Sequence, residues 1–433
     1  MESAGQGHLA LFAYYYPPLG GAGSQRALSY ARHLPARGWR VTVFTPREGV
    51  YGTDASLAGE GLPGVRVVRT PNREVAALLR QWKGGGSDGT PGGKFVEDSP
   101  VGPVGATLRG LARKFLYFPD SARGWIGPAA AAAAEVHRED AFHLVLSTSP
   151  PLSGHMAAHR FAGGAGLSFV PEFRDLPLEA VSDPEGRVAR LVKGLLGGAK
   201  TPVTVSPVYS RWLEAIAGPG TTRIVYNGFE PSPAPPPAGP DPAGPLEVVY
   251  AGSTYADRQD FSGFLRVMEA LRGEGIPWVL RLAGKVDPAT RERCAAFRTS
   301  GALVEEGFVE KARVLELQAR ARAVLVWAWE GGGPVGMGQV PAKLFEALPS
   351  GRPVLLVASP GSDAEAVGRI LSLKSLAHGD LEGMRRRLQD LADGRIPGGM
   401  TPEAKAQEAF TREAQAARMA EVLAEAAAPA VRA

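Results

Sequence analysis

Between Pro231 and Pro245 the chain places eight prolines in fifteen residues. Proline carries no N–H and has a fixed φ, so this stretch is neither helix nor inner strand and reads as a stiff connector between domains. The 433 residues are thereby divided into two lengths, each long enough to bury its own core. On both sides of the connector, short apolar runs alternate with helical patterns. Strands are expected at 8–13, 40–45, 65–69, 143–148, 168–173, 203–206 and 223–226 in the first half, and at 246–252, 279–284, 302–305, 323–327 and 353–357 in the second. Helical stretches separate the latter, at 261–272, 313–321 and 342–348. Strand, helix, strand in both halves predicts an α/β protein of two doubly wound, Rossmann-like domains, residues 1–230 and 246–409, facing across a cleft. A last helix, about 402–428, is expected to cross back, so that 410–433 rejoins the first domain. Ligands of such sheets bind beyond the C-terminal ends of the strands.

The most informative loop follows the first strand: Tyr14-Tyr-Tyr-Pro-Pro-Leu-Gly-Gly-Ala-Gly-Ser-Gln-Arg26. Gly20, Gly21 and Gly23 let backbone approach a ligand without a Cβ between. From Ser24 a helix with an apolar face of Leu28, Ala31 and Leu34 runs to Gly38. Its N-terminus, with free N–H groups and the positive dipole end, suits a phosphate. A tight turn is the plainer reading of the same glycines. The spacing is not the dinucleotide fingerprint: no third glycine follows at the required distance and no acid ends the second strand. An NAD site is disfavoured.

Composition excludes several classes. Hydrophobic residues at 44% and charged residues at 21% are those of a folded globular chain, while 55 Gly and 37 Pro imply many loops, one of them a Gly-, Ser- and Pro-rich stretch at 83–106. The single cysteine, Cys294, permits no intramolecular disulfide or thiolate cluster and fits a reducing compartment. No signal-type segment and no bilayer-length apolar run is present, so a cytoplasmic protein is expected. The net charge of +4 comes from the first half, a bias suited to an anionic acceptor or an acidic membrane surface and equally to a solvated basic face. Zinc-finger spacing, basic runs and basic-aromatic RNA motifs are missing, so nucleic acid is not an expected partner.

In the second half, Gln339-Val-Pro-Ala-Lys-Leu-Phe-Glu-Ala-Leu348 places Lys343 and Glu346 three apart on one helical face. A cation for phosphate and a carboxylate for ribose hydroxyls are what a nucleoside diphosphate requires; a surface ion pair is the plainer alternative. Upstream, the strand Val248-Val-Tyr-Ala-Gly252 leads through Gly252 into a loop carrying Arg258 just before a helix. A guanidinium at that strand end suits a bidentate grip on a diphosphate, which it would stabilise as the bond to the sugar breaks.

Several ordered motifs together resemble the GT-B glycosyltransferases, specifically the retaining enzymes of glycosyltransferase family 4. These are Tyr16-Pro-Pro with Gly-Gly-Ala-Gly, Arg37-Gly-Trp-Arg-Val-Thr-Val, Pro119-Asp120 with Trp125, Ser147-Thr-Ser-Pro-Pro151, Glu172-Phe-Arg-Asp175, Tyr226-Asn-Gly-Phe229, Gly307-Phe-Val309 and Lys343-Leu-Phe-Glu346. The resemblance runs almost end to end. It implies that Gly21, Gly23 and Gly252 lie against the donor, that Arg258 and Lys343 hold its diphosphate, and that Glu346 binds ribose. Val309 would hold the base through its backbone, and Asp175 would lie near the reacting sugar. It further implies glycosyl transfer with retention, from a UDP- or GDP-linked sugar to a glycan, lipid-linked or small-molecule hydroxyl. The leaving diphosphate oxygen can take the acceptor's proton on the same face. No Asp-x-Asp triplet occurs, in keeping with a reaction that needs neither metal nor other cofactor.

The chain also departs from that pattern. Gly338 stands eight before Glu346, where the family often has a first glutamate that would serve the sugar; Glu330 is a candidate substitute. Phe264 stands where a second basic residue commonly follows Arg258, with Lys285 as a replacement, and Arg174 replaces the usual His. For the acceptor, the basic and aromatic stretch Leu108 to Trp125 reads either as a peripheral membrane contact or, preferably, as a helix packing its aromatics inward. His155 and His159 lack a third ligand and read as core or solvated residues rather than a metal pair. Two rivals stay open: a non-catalytic sugar-nucleotide-binding or scaffold protein, motivated by Gly338, and a sugar-nucleotide epimerase of the same fold.

Overall fold

The computed structural model describes residues 7–47, 61–72, 118–231, 239–241 and 243–428. The 83–106 stretch, Leu108 to Tyr117 and most of the proline-rich connector lie outside these residues. The chain separates into two compact units, one of residues 1–205, 210–225 and 416–433, the other of 206–209 and 226–415.

The first unit is built on a parallel sheet of seven strands: β1 (Gly7–Ala13), β2 (Trp39–Pro46), β3 (Val65–Thr70), β4 (Leu144–Ser149), β5 (Ser168–Phe173), β6 (Val203–Thr204) and β7 (Arg223–Ile224). Their order is β3-β2-β1-β4-β5-β6-β7. Side chains alternate between the faces and both faces are covered, which is why β1 is apolar from Leu9 to Ala13. Leu9, Leu11 and Ala13 pack with Ala27, Leu28 and Ala31 of the helix Ala22–His33 and with Met419 and Leu423 near the C-terminus. Ala10 and Phe12 pack on the other face with Ala129, Ala133, Ala157 and Phe161 from the helices Ile126–Glu139 and Leu152–Ala165. The first helix stops sooner than expected, at His33. Pro35 starts a 3₁₀ turn, which Gly38 closes at a φ of 86°.

The second unit carries five parallel strands, β8 (Leu246–Ala251), β9 (Trp278–Ala283), β10 (Leu303–Gly307), β11 (Ala323–Trp327) and β12 (Val354–Val357), in the order β10-β9-β8-β11-β12. Val248, Leu280, Leu325 and Leu355 face the helices Ser262–Gly273 and Leu381–Ala392 through Phe264, Met268, Met384 and Leu388. Val324, Val326, Val354 and Leu356 face Leu344, Phe345 and Val367 on the opposite side.

Two helices come out shorter than the pattern predicts. The one expected at 342–348 ends at Glu346, because Pro349 turns the following residues into the 3₁₀ piece Leu348–Ser350. The long helix expected at 402–428 is two, Ala404–Glu408 and Arg412–Ala427. Tertiary pairing breaks it: the Phe229 N–H donates to the Phe410 carbonyl (3.1 Å) and the Arg412 N–H to the Phe229 carbonyl (2.8 Å). Gly228 allows that approach, since a Cβ there would lie 2.7 Å from the Phe410 oxygen.

Candidate functional site

In the second unit the strand order reverses between β8 and β11, since the chain moves outward from β8 to β9 and β10 and then returns to the other side. Loops leaving the C-terminal ends of these two strands diverge there and open a crevice. Gly252, Arg258 and Gln259 follow β8, and Trp329, Glu330 and Gly338 follow β11. Lys343 lies on the short helix Ala342–Glu346 just beyond.

Gly252 has a φ of 135°, and a Cβ on it would sit 2.6 Å from the Lys343 Cε and 2.7 Å from its Nζ. Only glycine lets the lysine stem cross the backbone here. The ammonium then donates to the Tyr250 hydroxyl and to the Ser253 carbonyl (3.2 Å), and lies 4.1 Å from the Tyr250 ring centre. Burial pushes the Lys343 pKa down to about 7, with Glu346 pulling the other way. A lysine in these surroundings has an ammonium poorly compensated by the protein and available to an anion. Neighbouring Gly284 packs against Gly252 so closely that a Cβ on it would meet the Gly252 carbonyl oxygen at 2.4 Å.

Arg258 lies over the Trp329 ring at 4.2 Å, with its Nε 3.4 Å from the Asp257 carboxylate. Its loop is held from β11's side. The Glu330 N–H donates to the Arg258 carbonyl (2.8 Å), and Glu330 Oε1 accepts from the Asp260 N–H (2.9 Å) and the Trp327 indole (3.2 Å). Glu330, the expected substitute for a sugar-binding carboxylate, thus clamps the arginine loop with that oxygen. Gln259 is buried and ties the same loop to the Trp327 carbonyl (2.8 Å) and the Tyr250 hydroxyl (3.1 Å). Neither Tyr250 nor Gln259 was picked out by sequence reasoning. A polar pair around an apolar strand, Tyr250 and Gln259, was the available signal, because buried polar groups need partners.

Glu346 has Arg412 as its charged neighbour, at 3.9 Å. Val309 turns its side chain inward against Val249, Ala283 and Leu317, and Phe308 beside it is 61% exposed. It follows β10, two strand spacings, about 10 Å, from β8. Phe264 is buried in the core, and Lys285 is exposed, with its carbonyl accepting from the Thr254 N–H (3.0 Å) of the loop after β8.

Position 338 has no room for the glutamate the resemblance leads one to look for. A Cβ there would fall 2.3 Å from the Tyr209 ring and 3.0 Å from the Val208 Cβ. The Gly338 carbonyl accepts from Ser206 Oγ at 2.7 Å, and the Tyr209 hydroxyl donates to the Val335 carbonyl at 3.3 Å.

In the first unit Gly21 caps the helix Ala22–His33 at a φ of 95° with no side-chain cap and no acid in the first turn. Gly23 follows against Arg174, whose Nη1 is 2.9 Å from where a Cβ would stand. Arg174 donates to the Ser149 and Pro150 carbonyls, both at 3.1 Å, and Asp175 next to it is exposed. The structure therefore groups Gly21, Gly23 and Asp175 in the first unit and Gly252, Arg258, Val309, Lys343 and Glu346 in the second. Arg26 and Glu172 form a buried ion pair at 2.7 Å, with the Tyr30 hydroxyl on the same carboxylate oxygen. Burial pushes Glu172 upward, but the Arg26 charge together with the hydrogen bonds from Arg26, Tyr30 and Thr148 outweighs it and leaves the carboxyl below its usual pKa. A glutamate inside the apolar run Ser168–Phe173 was the sequence signal for this pair.

Other motif residues prove structural. Asp120 accepts from the Ser153 N–H (3.0 Å) and hydroxyl (2.6 Å) at the start of the helix Leu152–Ala165. Trp125 is fully buried and donates its indole N–H to Thr70 (2.7 Å), and Phe118 lies under Arg187 at 4.2 Å. His155 is buried, bonded to Ser147 Oγ at 2.6 Å, and burial pushes its pKa down to about 3, so it is a neutral core residue. Among the described residues no group of three His, Cys, Asp or Glu side chains is gathered for a metal, and no helix is long and apolar enough to cross a membrane.

No protein-family model and no curated sequence matches the chain. Solved structures do resemble it over nearly their whole length. HepE of Anabaena, in complex with UDP and glucose, is similar over 96% of this chain and 99% of its own, with a TM-score of 0.58 and 16% identity. The lipopolysaccharide outer core galactosyltransferase WaaB, in its apo form, matches over 96% and 99%, with a TM-score of 0.53 and 13% identity. UGT89C1 of Arabidopsis thaliana matches over 98% and 100%, also with a TM-score of 0.53 and 13% identity. These neighbours are GT-B glycosyltransferases, and the two parallel sheets of seven and five strands with flanking helices have the GT-B fold.

Proposed function

We propose that the protein transfers a sugar from a nucleotide diphosphate sugar, UDP- or GDP-linked, to a hydroxyl acceptor with retention at the anomeric carbon, as in glycosyltransferase family 4. The observation that carries this reading is the Lys343 ammonium, run across Gly252 to the switch point between β8 and β11, with Arg258 on the adjoining loop. Two cations there suit a diphosphate and the charge that grows on it as the glycosidic bond breaks. In this mechanism the departing phosphate oxygen takes the acceptor's proton, and Arg258 and Lys343 balance the negative charge in place of a divalent cation. Glu346 is assigned to the ribose hydroxyls and the Val309 backbone to the base. In the first unit the loop around Gly21 and Gly23, with Asp175, is assigned to the transferred sugar. A glycan, lipid-linked or small-molecule acceptor and a cytoplasmic location, in keeping with the single cysteine, belong to the same proposal. HepE, a fold neighbour, was solved with UDP and with UDP-glucose, which makes uridine the first base to try.

The closed space at Gly338 favours one second reading, a sugar-nucleotide-binding protein without turnover. A calorimetric panel of UDP, GDP, dTDP and ADP, with and without magnesium, followed by hydrolysis assays of the matching nucleotide sugars, separates the two. Selective binding with turnover supports the transferase, and binding without turnover in any acceptor screen supports the second reading. No binding by any diphosphate sinks both. Arg258→Ala should weaken the diphosphate by about 2 kcal/mol, roughly thirtyfold, since hydrogen bonds to charged groups contribute on that order.

A further inference from the structure

We propose that Tyr250 is a positioning residue of the diphosphate site, its phenol holding Lys343 where the ammonium meets the donor; this rests on the function proposed above. Tyr250 is fully buried on β8, so its hydroxyl has no water to fall back on. Every bond of that hydroxyl goes to site elements. It accepts from the Lys343 ammonium and from Gln259 Nε2 (3.1 Å), and its own proton goes to the Ser253 carbonyl (3.0 Å). Gln259 Oε1, the other acceptor near that proton at 3.2 Å, already receives the Tyr255 N–H at 3.2 Å. The amide is fixed in turn by the Trp327 carbonyl (2.8 Å). The phenol therefore joins β8, its following loop, the end of β11 and the lysine helix at one oxygen.

Lys343 gives one N–H to Tyr250 and one to Ser253, which leaves the third for a phosphate oxygen. The titratable groups bearing on the ammonium are Tyr250 from β8 and Glu346 from its own helix, while Gly252 and Ser253 present neutral backbone. Without the hydroxyl, the stem keeps its path across Gly252 but the ammonium loses the lone pair that fixes it.

The test is Tyr250→Phe, which keeps the ring and the packing. Wild type and variant are titrated calorimetrically between pH 6 and 9 with UDP-glucose, or with GDP-mannose if guanosine is the base selected. The phosphates of a nucleotide sugar do not titrate in this range and the ring N–H of uracil or guanine ionises only at its upper end, so the pH dependence below pH 8 belongs to the protein. Tyr250→Phe should bind about tenfold more weakly at pH 7, with the melting temperature little changed. The pH at which affinity falls should also move lower, because the ammonium has lost an acceptor. In the Lys343→Met background the same change should have little further effect, an outcome a merely structural tyrosine would not give. Equal affinity and an unmoved pH profile in Tyr250→Phe overturn the inference, as does an undiminished effect in the Lys343→Met background. Absence of nucleotide-sugar binding by the wild type is a different result and removes the proposed function itself.

Discussion

At the scale of single residues, the glycines divide by what crosses them. Gly252 is crossed by a lysine stem, Gly23 by an arginine and Gly338 by a tyrosine ring. Gly252→Ala combines an unfavourable φ of 135° with a Cβ pressed against the Lys343 Cε, and should destabilise the protein by about 1–3 kcal/mol. It should also displace the ammonium. A melting curve and a UDP titration check this, and unchanged affinity would show that Lys343 does not need its present path. Gly338→Glu should destabilise by about 1–3 kcal/mol through overpacking, and combined with Tyr209→Ala the total loss should be smaller than the sum of the two single losses, because the ring no longer fills the space. Additive losses in the double variant would mean that the ring is not what closes the position. The glycine pattern was visible in the sequence, but which side chain each glycine accommodates was not, since the partners are 91 to 151 positions away.

Elements were legible where a local period sets them. Strands β1, β5, β8 and β11 fall within a residue of the apolar runs that predict them, because a parallel strand covered on both faces is mostly apolar, with Glu172 of β5 and Glu247 of β8 as ion-paired exceptions. The helix expected at 402–428 failed as one element because the backbone of Phe229 takes the hydrogen bonds of residues 410 and 412, and the Thr411 hydroxyl, which accepts from the Ala414 N–H (3.2 Å), caps the start of the second helix. Its second part, Arg412–Ala427, carries Met419 and Leu423 into the core of the first unit with no exposure. Leu423→Ala should destabilise by about 2–5 kcal/mol, the range for emptying a close-packed leucine site. Chemical denaturation measures it, and a loss below about 1 kcal/mol would mean that this helix is only peripheral to the sheet.

For the molecule as a whole, buried polar groups set the response to pH. His155 is held neutral, with its pKa near 3 against an ordinary 6.5. The folded state therefore binds fewer protons than the unfolded chain between these values, so stability is full above about pH 6.5 and falls as pH drops toward 3, by about 1.4 kcal/mol per unit. Glu172, held below its usual value by Arg26, contributes stability above the unfolded carboxyl pKa that is lost at still lower pH. Denaturation midpoints of the wild type and His155→Gln between pH 7 and 4 test this: the wild type should lose stability faster, and parallel curves would place the cause elsewhere. The α/β character and the two parallel sheets followed from the sequence, and the lysine and arginine loops stood out in it, because apolar period and residue chemistry are local properties. The tertiary structure alone decided that Tyr250 and Gln259 fasten Lys343, that Glu330 clamps the Arg258 loop, and that Tyr209 closes position 338. Each of these depends on segments distant in the chain meeting, and steric fit between such groups leaves no periodic trace in the sequence.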